Sequence, residues 1–126
     1  MKLRNWTSAG VAAVLMLALV GGVNAGALED GYAAAERGDY ATAYRLWRPL
    51  AEQGDAEAQY KLGTMYDIGH GVPQDYVEAH KWYSLAAAAG EPSATFFRDD
   101  TAKSMTPAQI AEAQRLAREW QAKKQK

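Results

Sequence analysis

The stretch DAEAQYKLGTMYDIGHGVPQDYVEAHKWYSLAAAAG, Asp55 to Gly90, decides the fold. Asp55 is placed to cap a helix over Ala56 to Ile68, whose apolar spacing sets Ala58, Leu62, Met65 and Tyr66 on one inward face. A glycine-rich loop, Gly69 to Pro73, follows. Asp75 and Glu78, three residues apart as in a capping box, then open a second helix over Tyr76 to Ala89, which Gly90 closes. Gly63 beside Leu62 marks a place where a neighbouring helix can approach closely, because no side chain stands between the backbones. One such hairpin cannot bury its own apolar face and needs copies of itself as neighbours.

The copies are visible when the chain is slid against itself. A shift of thirty-six residues lays Asp39-Tyr40 on Asp75-Tyr76, Ala43 on Ala79, Trp47 on Tyr83, Ala51 on Ala87 and Gly54 on Gly90. A shift of thirty-two lays Gly31 on Gly63. The four extra residues of the second unit fall within Gly69 to Gln74, where an insertion leaves helix packing alone. The first unit therefore reads as a helix over Leu28 to Arg37, then an Asp39 cap and a helix over Tyr40 to Gln53 ended by Gly54 in a left-handed turn. Pro49 lies inside that second helix and is expected to bend it or remove one hydrogen bond.

The run Leu62-Gly63, Tyr66, Gly69-His70-Gly71-Val72, Asp75-Tyr76, Ala79 with Trp82-Tyr83, Ala86-Ala87 and Gly90 resembles the Sel-1-like repeat, a relative of the tetratricopeptide repeat with a longer loop between its helices. The resemblance is full for residues 55–90, partial for 26–54 and divergent for 91–126. It implies an all-α, tetratricopeptide-like α–α solenoid of about three helix pairs, six helices in all. It also implies a role as adaptor or regulator in protein assemblies rather than as an enzyme.

In the last unit Pro92 suits the start of a helix over Ser93 to about Ala102, but Arg98-Asp99 stands where the family has Leu-Gly, so this helix is expected to pack differently. Thr106, Pro107 and Gln109 give the grammar of another helix start. That helix runs to about Ala122 with Ile110, Ala113, Leu116 and Trp120 inward, and Glu112, Arg115, Arg118 and Glu119 outward, as the cap of a solenoid requires.

The first 25 residues read as an export leader: Lys2 and Arg4, an apolar run from Ala9 to Val20, and a small-residue site for cleavage after Ala25 or Ala27. The apolar run falls short of the roughly 20 residues a spanning helix needs, so no stable membrane insertion is expected after cleavage. A periplasmic or secreted bacterial protein follows as the expectation. The chain has no cysteine, which excludes disulfides and a cysteine-linked lipid anchor. Without Lys2 and Arg4, 12 basic side chains face 15 acidic ones, a formal charge of −3, and only the tail Lys123 to Lys126 is locally basic, so nucleic acid is not an expected partner.

No catalytic motif is present, and no cofactor or metal is expected. His70 and Asp67 flank one turn and, with His80, are the sole metal-ligand candidates; without a third close ligand, His70 reads as a solvated loop residue and His80 as a helix-surface residue. What the resemblance does imply is a protein or peptide partner in the cell envelope, held on a concave face built from the first helix of each pair. On that face fall Tyr32 of the first unit, then Glu57, Tyr60, Thr64 and Asp67 of the second together with Ile68, and Phe96 and Asp100 of the third. Tyr60 and Phe96 occupy equivalent places one period apart, with Tyr32 near the same stripe, and such rings anchor partners well. The same rings can instead complete the core, the reading favoured for Phe96 and balanced for Tyr32 and Tyr60. Trp47, Tyr66, Trp82 and Tyr83 are expected in the core. Two other functions stay open at this point: a cell-envelope hydrolase using groove carboxylates such as Glu57 and Asp67, which would require them about 5 to 9.5 Å apart, and a self-associating scaffold.

Overall fold

A computed structural model describes residues 26–126. The leader proposed for residues 1–25 lies outside the described residues. Within them the chain forms six helices and no strand: α1 over 26–36, α2 Tyr40–Glu52, α3 Ala56–Ile68, α4 Tyr76–Ala88, α5 Ala94–Ala102 and α6 Pro107–Lys124. This is the all-α helical array expected of the repeat.

Side-chain caps set the starts. The carboxylates of Asp39, Asp55 and Asp75 accept from the backbone N–H groups of Thr42 (3.2 Å), Ala58 (2.8 Å) and Glu78 (3.1 Å), satisfying donors that the first helical turn leaves free. At Thr106 the capping box with Gln109 is complete. The box expected at Asp75 forms only by half, because the Glu78 carboxylate pairs with Lys81 (2.8 Å) instead of turning back to its cap. Gly54 (φ 99°) and Gly90 (φ 102°) end their hairpins in the left-handed conformation that other residues avoid. Helix α2 runs on through Pro49, which lies near its end and leaves the Arg45 carbonyl without its usual i+4 donor.

Packing follows the repeat. Helix α3 lies between α2 and α4, and α4 in turn carries α5 and α6. Both hairpins use the same contact. A Cβ added to Gly63 would stand 2.6 Å from the Tyr83 ring, and one added to Gly31 would fall inside the Trp47 indole. Each glycine therefore admits the aromatic residue of its partner helix. Around these contacts the core is mostly small: Ala34, Ala43, Ala51 and Ala58 are fully buried, with Leu62, Met65, Trp82 and Leu85 supplying bulk. Trp47, Trp82 and Tyr83 are buried as expected. Tyr66 is half-buried at the core edge, its hydroxyl 3.0 Å from that of Tyr44. The loop before α4 is held down by Val72 and by Gly71, where a Cβ would stand 2.7 Å from the Tyr40 carbonyl oxygen.

The C-terminal unit differs. Helix α6 packs on α4 rather than folding back along α5. Its inner face is Ala113 and Ala117, with Ile110, Leu116 and Trp120 half-buried, so the close contact is made by two alanines instead of the larger residues. Trp120 sets its ring against Trp82 (centroids 6.4 Å apart, 69°) and donates to Glu52 (3.2 Å), while Lys124 donates to the Gln53 carbonyl. The end of α6 is thereby tied to the end of α2. Its outward side holds Arg115 between Glu112 and Glu119.

Both histidines depart from the sequence expectation. His80 is buried, 4% exposed, because α5 covers that side of α4. Burial pushes its pKa down, the Arg98 guanidinium adds to that, and Asp99 opposes it. His70 is half-buried and stacks on Tyr40, with centroids 4.2 Å apart and planes at 23°, since the glycine-flanked loop folds over the start of α2.

Candidate partner-binding face

The first helices of successive units adjoin through polar and aromatic contacts, and these fix the face that they present. Between α1 and α3 the Tyr32 hydroxyl donates to the Glu57 carboxylate, while the Tyr32 ring meets Trp47 edge-on at 5.4 Å. Burial, then the Glu57 bond, then the charges of Glu57, Glu29 and Glu91 all raise the Tyr32 pKa, so this phenol stays a donor at any physiological pH. Lys61, one turn on from Glu57, places its ammonium 4.9 Å from the Tyr32 centroid and 5.7 Å from that of Tyr60. That is cation–π range for both rings. Beside them a cleft of about 140 Å³ opens between α1 and α3, walled by Ala35, Trp47, Lys61, Thr64 and Met65.

Between α3 and α5 the contacts are aromatic. Tyr60 is half-buried, 5.9 Å from Tyr83 and 5.6 Å from Phe97, and Phe97 lies 6.0 Å from Tyr83. Phe96, placed by the register on the concave stripe with a core role favoured for its ring, is 67% exposed and meets only the edge of Phe97 at 5.2 Å among the aromatic contacts of the described residues. The exposure has a physical reason. Ala94, Phe97 and Thr101 follow the i, i+3, i+7 spacing of a buried stripe, and with α5 turned to bury Ala94 and Thr101, Phe97 faces inward and Phe96 points out.

The polar residues of the expected stripe divide. Thr64 donates back to the Tyr60 carbonyl (3.2 Å) and accepts from the Tyr83 hydroxyl (3.4 Å). The Asp67 carboxylate accepts from Tyr83 (3.3 Å) and from Thr101 (3.2 Å), and so ties α3, α4 and α5 together. Both are half-buried and already engaged in the array. Asp100 is exposed and pairs loosely with Lys103 (3.4 Å). Glu57 is exposed, and Ile68 is 55% exposed. The structure thus brings Tyr32, Glu57 and Tyr60 together around Lys61, with Phe96 beyond Phe97. Asp67 and Thr64 act inside the array, and Asp100 sits apart on α5.

Sequence reasoning missed Lys61 and Phe97. Phe97 was legible through the spacing just given, whereas the Lys61 contacts lie between two helices and carry no spacing signal.

Glu57 and Asp67, the pair named for the hydrolase alternative, stand too far apart for it. Glu57 and Asp67 are ten residues apart on one helix, roughly 15 Å along its axis at 1.5 Å per residue, and each is held by a different neighbour. Among the described residues no group of three or more His, Asp or Glu side chains could hold a metal ion. Nor is any described helix long and apolar enough to cross a membrane.

Comparison with known proteins gives the same repeat. The family model described as Sel1 repeat matches residues 17–55 and 56–91, and the first match begins inside the stretch read as a leader. Over 44 residues the chain is 43% identical to an uncharacterized Sel1-like repeat-containing protein of Schizosaccharomyces pombe, which is 35% of this chain and 7% of that protein. Over 50 residues it is 46% identical to chitin synthase regulatory factor 3 of the same organism, 39% of this chain and 5% of the relative. The chain thus matches less than a tenth of the length of either relative.

Proposed function

Since the chain belongs to the Sel1 repeat family, whose repeats generally mediate protein–protein interaction, we propose that it is an exported, non-catalytic adaptor or regulator acting on a protein partner in the bacterial cell envelope. The observation that carries the binding face is the exposed Phe96 at the edge of the Tyr60, Tyr83 and Phe97 cluster, with Tyr32 and Lys61 continuing the same face across α1 and α3. A large exposed ring leaves apolar area in water, and docking removes that area from it. Export is supported by the charged, apolar and small-residue order of the first 25 residues. The regulatory role in one relative's name agrees with an adaptor or regulator, although the match covers 5% of that protein.

Affinity capture from a native envelope extract tests the face, comparing the mature chain with a Tyr60→Ala/Phe96→Ala variant shown by circular dichroism to be folded. A partner retained by the wild type and lost by the folded variant is expected. Equal retention by both would move binding to another surface. Export is checked separately by the mass of the protein recovered from the periplasm, which should begin at Gly26 or Leu28.

A further inference from the structure

The charges carried by this face bear on the chemistry of a partner. Tyr32 on α1 and Tyr60 on α3 are both half-buried and share one ammonium, that of Lys61, 4.9 and 5.7 Å from their ring centroids. Three carboxylates lie on the segments that carry this face: Glu29 on α1 and Glu57 on α3, each three residues before its tyrosine and so on the same side of its helix, and Glu91 just before α5. Glu57 is held in place by the Tyr32 hydroxyl, and Glu91 accepts the backbone N–H of Ser93 (3.3 Å). Among the described residues none of the three has a lysine, arginine or histidine nitrogen within 4.0 Å, although Arg48, Lys81, Arg98, Lys103 and Arg115 are all paired elsewhere. Their fields reach the rings, since Glu57, Glu29 and Glu91 act on Tyr32 and Glu91 acts on Tyr60. The face also already holds a cation. The ammonium of Lys61 rests over both rings without a carboxylate partner within 4.0 Å among the described residues, so the rings are placed to receive positive charge. Phe96 adds the apolar element.

From this charge complementarity we infer that the partner docks a basic segment, lysine or arginine side chains alternating with apolar ones, on the face formed by Tyr32, Glu57, Tyr60, Glu91 and Phe96. The inference rests on the proposed use of that face. The partner's cations meet Glu29, Glu57 and Glu91 and stack on the two tyrosines, displacing the Lys61 ammonium, while an apolar side chain covers Phe96. An acidic segment would bring its charge against three carboxylates, with Lys61 alone to offset them.

Fluorescence anisotropy with three short labelled peptides tests this on the mature chain: lysine alternating with leucine, glutamate alternating with leucine, and glutamine alternating with leucine. The lysine peptide is expected to bind tightest and to weaken as salt rises. Glu57→Gln/Glu91→Gln should weaken it about fivefold, the combined effect of two exposed ion pairs. Lys61→Met should tighten it by removing the competing ammonium. Circular dichroism confirms that each variant is folded. Equal or tighter binding of the glutamate peptide, or weaker lysine-peptide binding in Lys61→Met, overturns the basic-segment inference. If those results appear while the captured partner is still lost by Tyr60→Ala/Phe96→Ala, the charge assignment alone fails. If the lysine peptide binds but is indifferent to Tyr60→Ala/Phe96→Ala, the face itself is wrong.

Discussion

In the two matched repeats a glycine of the first helix meets an aromatic ring of the second, Gly31 with Trp47 and Gly63 with Tyr83. One period further on, the corresponding residues are Asp99 and Glu119. Two carboxylates cannot be desolvated against each other without a large penalty, and Asp99 also has a side chain where close approach needs none. So α5 and α6 do not form a third hairpin of the same kind; α6 lies instead on α4, through Ala113, Ala117 and Trp120. The repeat contact is made where a glycine faces a ring and is lost where that pair is replaced by charge. Helix α6 turns Arg115 outward between Glu112 and Glu119, the charged face expected of a capping helix.

The largest expected effect removes the residue on which both regions depend. Trp82 is fully buried, touches Trp120 of α6 and lies under the Arg48 guanidinium. Trp82→Ala should cost about 3 to 5 kcal/mol in urea unfolding, a large share of the stability of a small domain. Next come the contact glycines. Gly63→Ala and Gly31→Ala should each cost about 1 to 3 kcal/mol, because a rigid ring must move, even though alanine is the better helix former. Asp99→Ala, at the place matching Gly63, should change stability by less than about 0.5 kcal/mol. A large loss there, or none at Gly63, would undo the comparison between repeat and terminal unit. Smaller still is the uncoupling of α6. Trp120→Ala removes the hydrogen bond to Glu52 and the ring contact with Trp82, and amide exchange should speed up in α6 before α3 or α4 responds.

The smallest effect is set by pH. Burial first, and then Arg98, lower the pKa of His80 in the folded chain. The unfolded chain therefore takes up the proton more readily, so stability is full above about pH 6.5 and falls as pH drops below it. His80→Gln should flatten that dependence between neutral pH and about pH 5.5, as read from urea midpoints. An unchanged slope in the variant would assign the acid sensitivity to other groups.

Helix positions, caps and the two hairpins were legible because each is written locally: Asp39, Asp55, Asp75 and Thr106 as caps, Gly54 and Gly90 as stops, and Gly63 by its spacing to Tyr83. The roll of α5 was not legible in the same way: Phe96 is exposed, against the core reading favoured for its ring, and Phe97, to which the sequence reading gave no role, turns inward against Tyr60. His80 was hidden for the same reason, since only the packing of α5 on α4 buries it. Of the proposed face, Tyr32, Glu57 and Tyr60 follow from the register that the resemblance gives. Asp67 and Thr64 shared that register, but their side chains are taken up by Tyr83 and Thr101, which no spacing within α3 could announce. Lys61 was passed over because its role arises between two helices, in the contact it makes with both tyrosine rings.

The most direct measurement for the binding face is amide chemical-shift mapping of the isotope-labelled mature chain, titrated with the partner recovered by affinity capture. Shifts concentrated on α1, α3 and α5, at Tyr32, Glu57, Tyr60, Lys61 and Phe96, with the outward residues of α6 unmoved, are the expected result. Shifts confined to α6 and the outward side of α4 would place the partner on the opposite surface and contradict it.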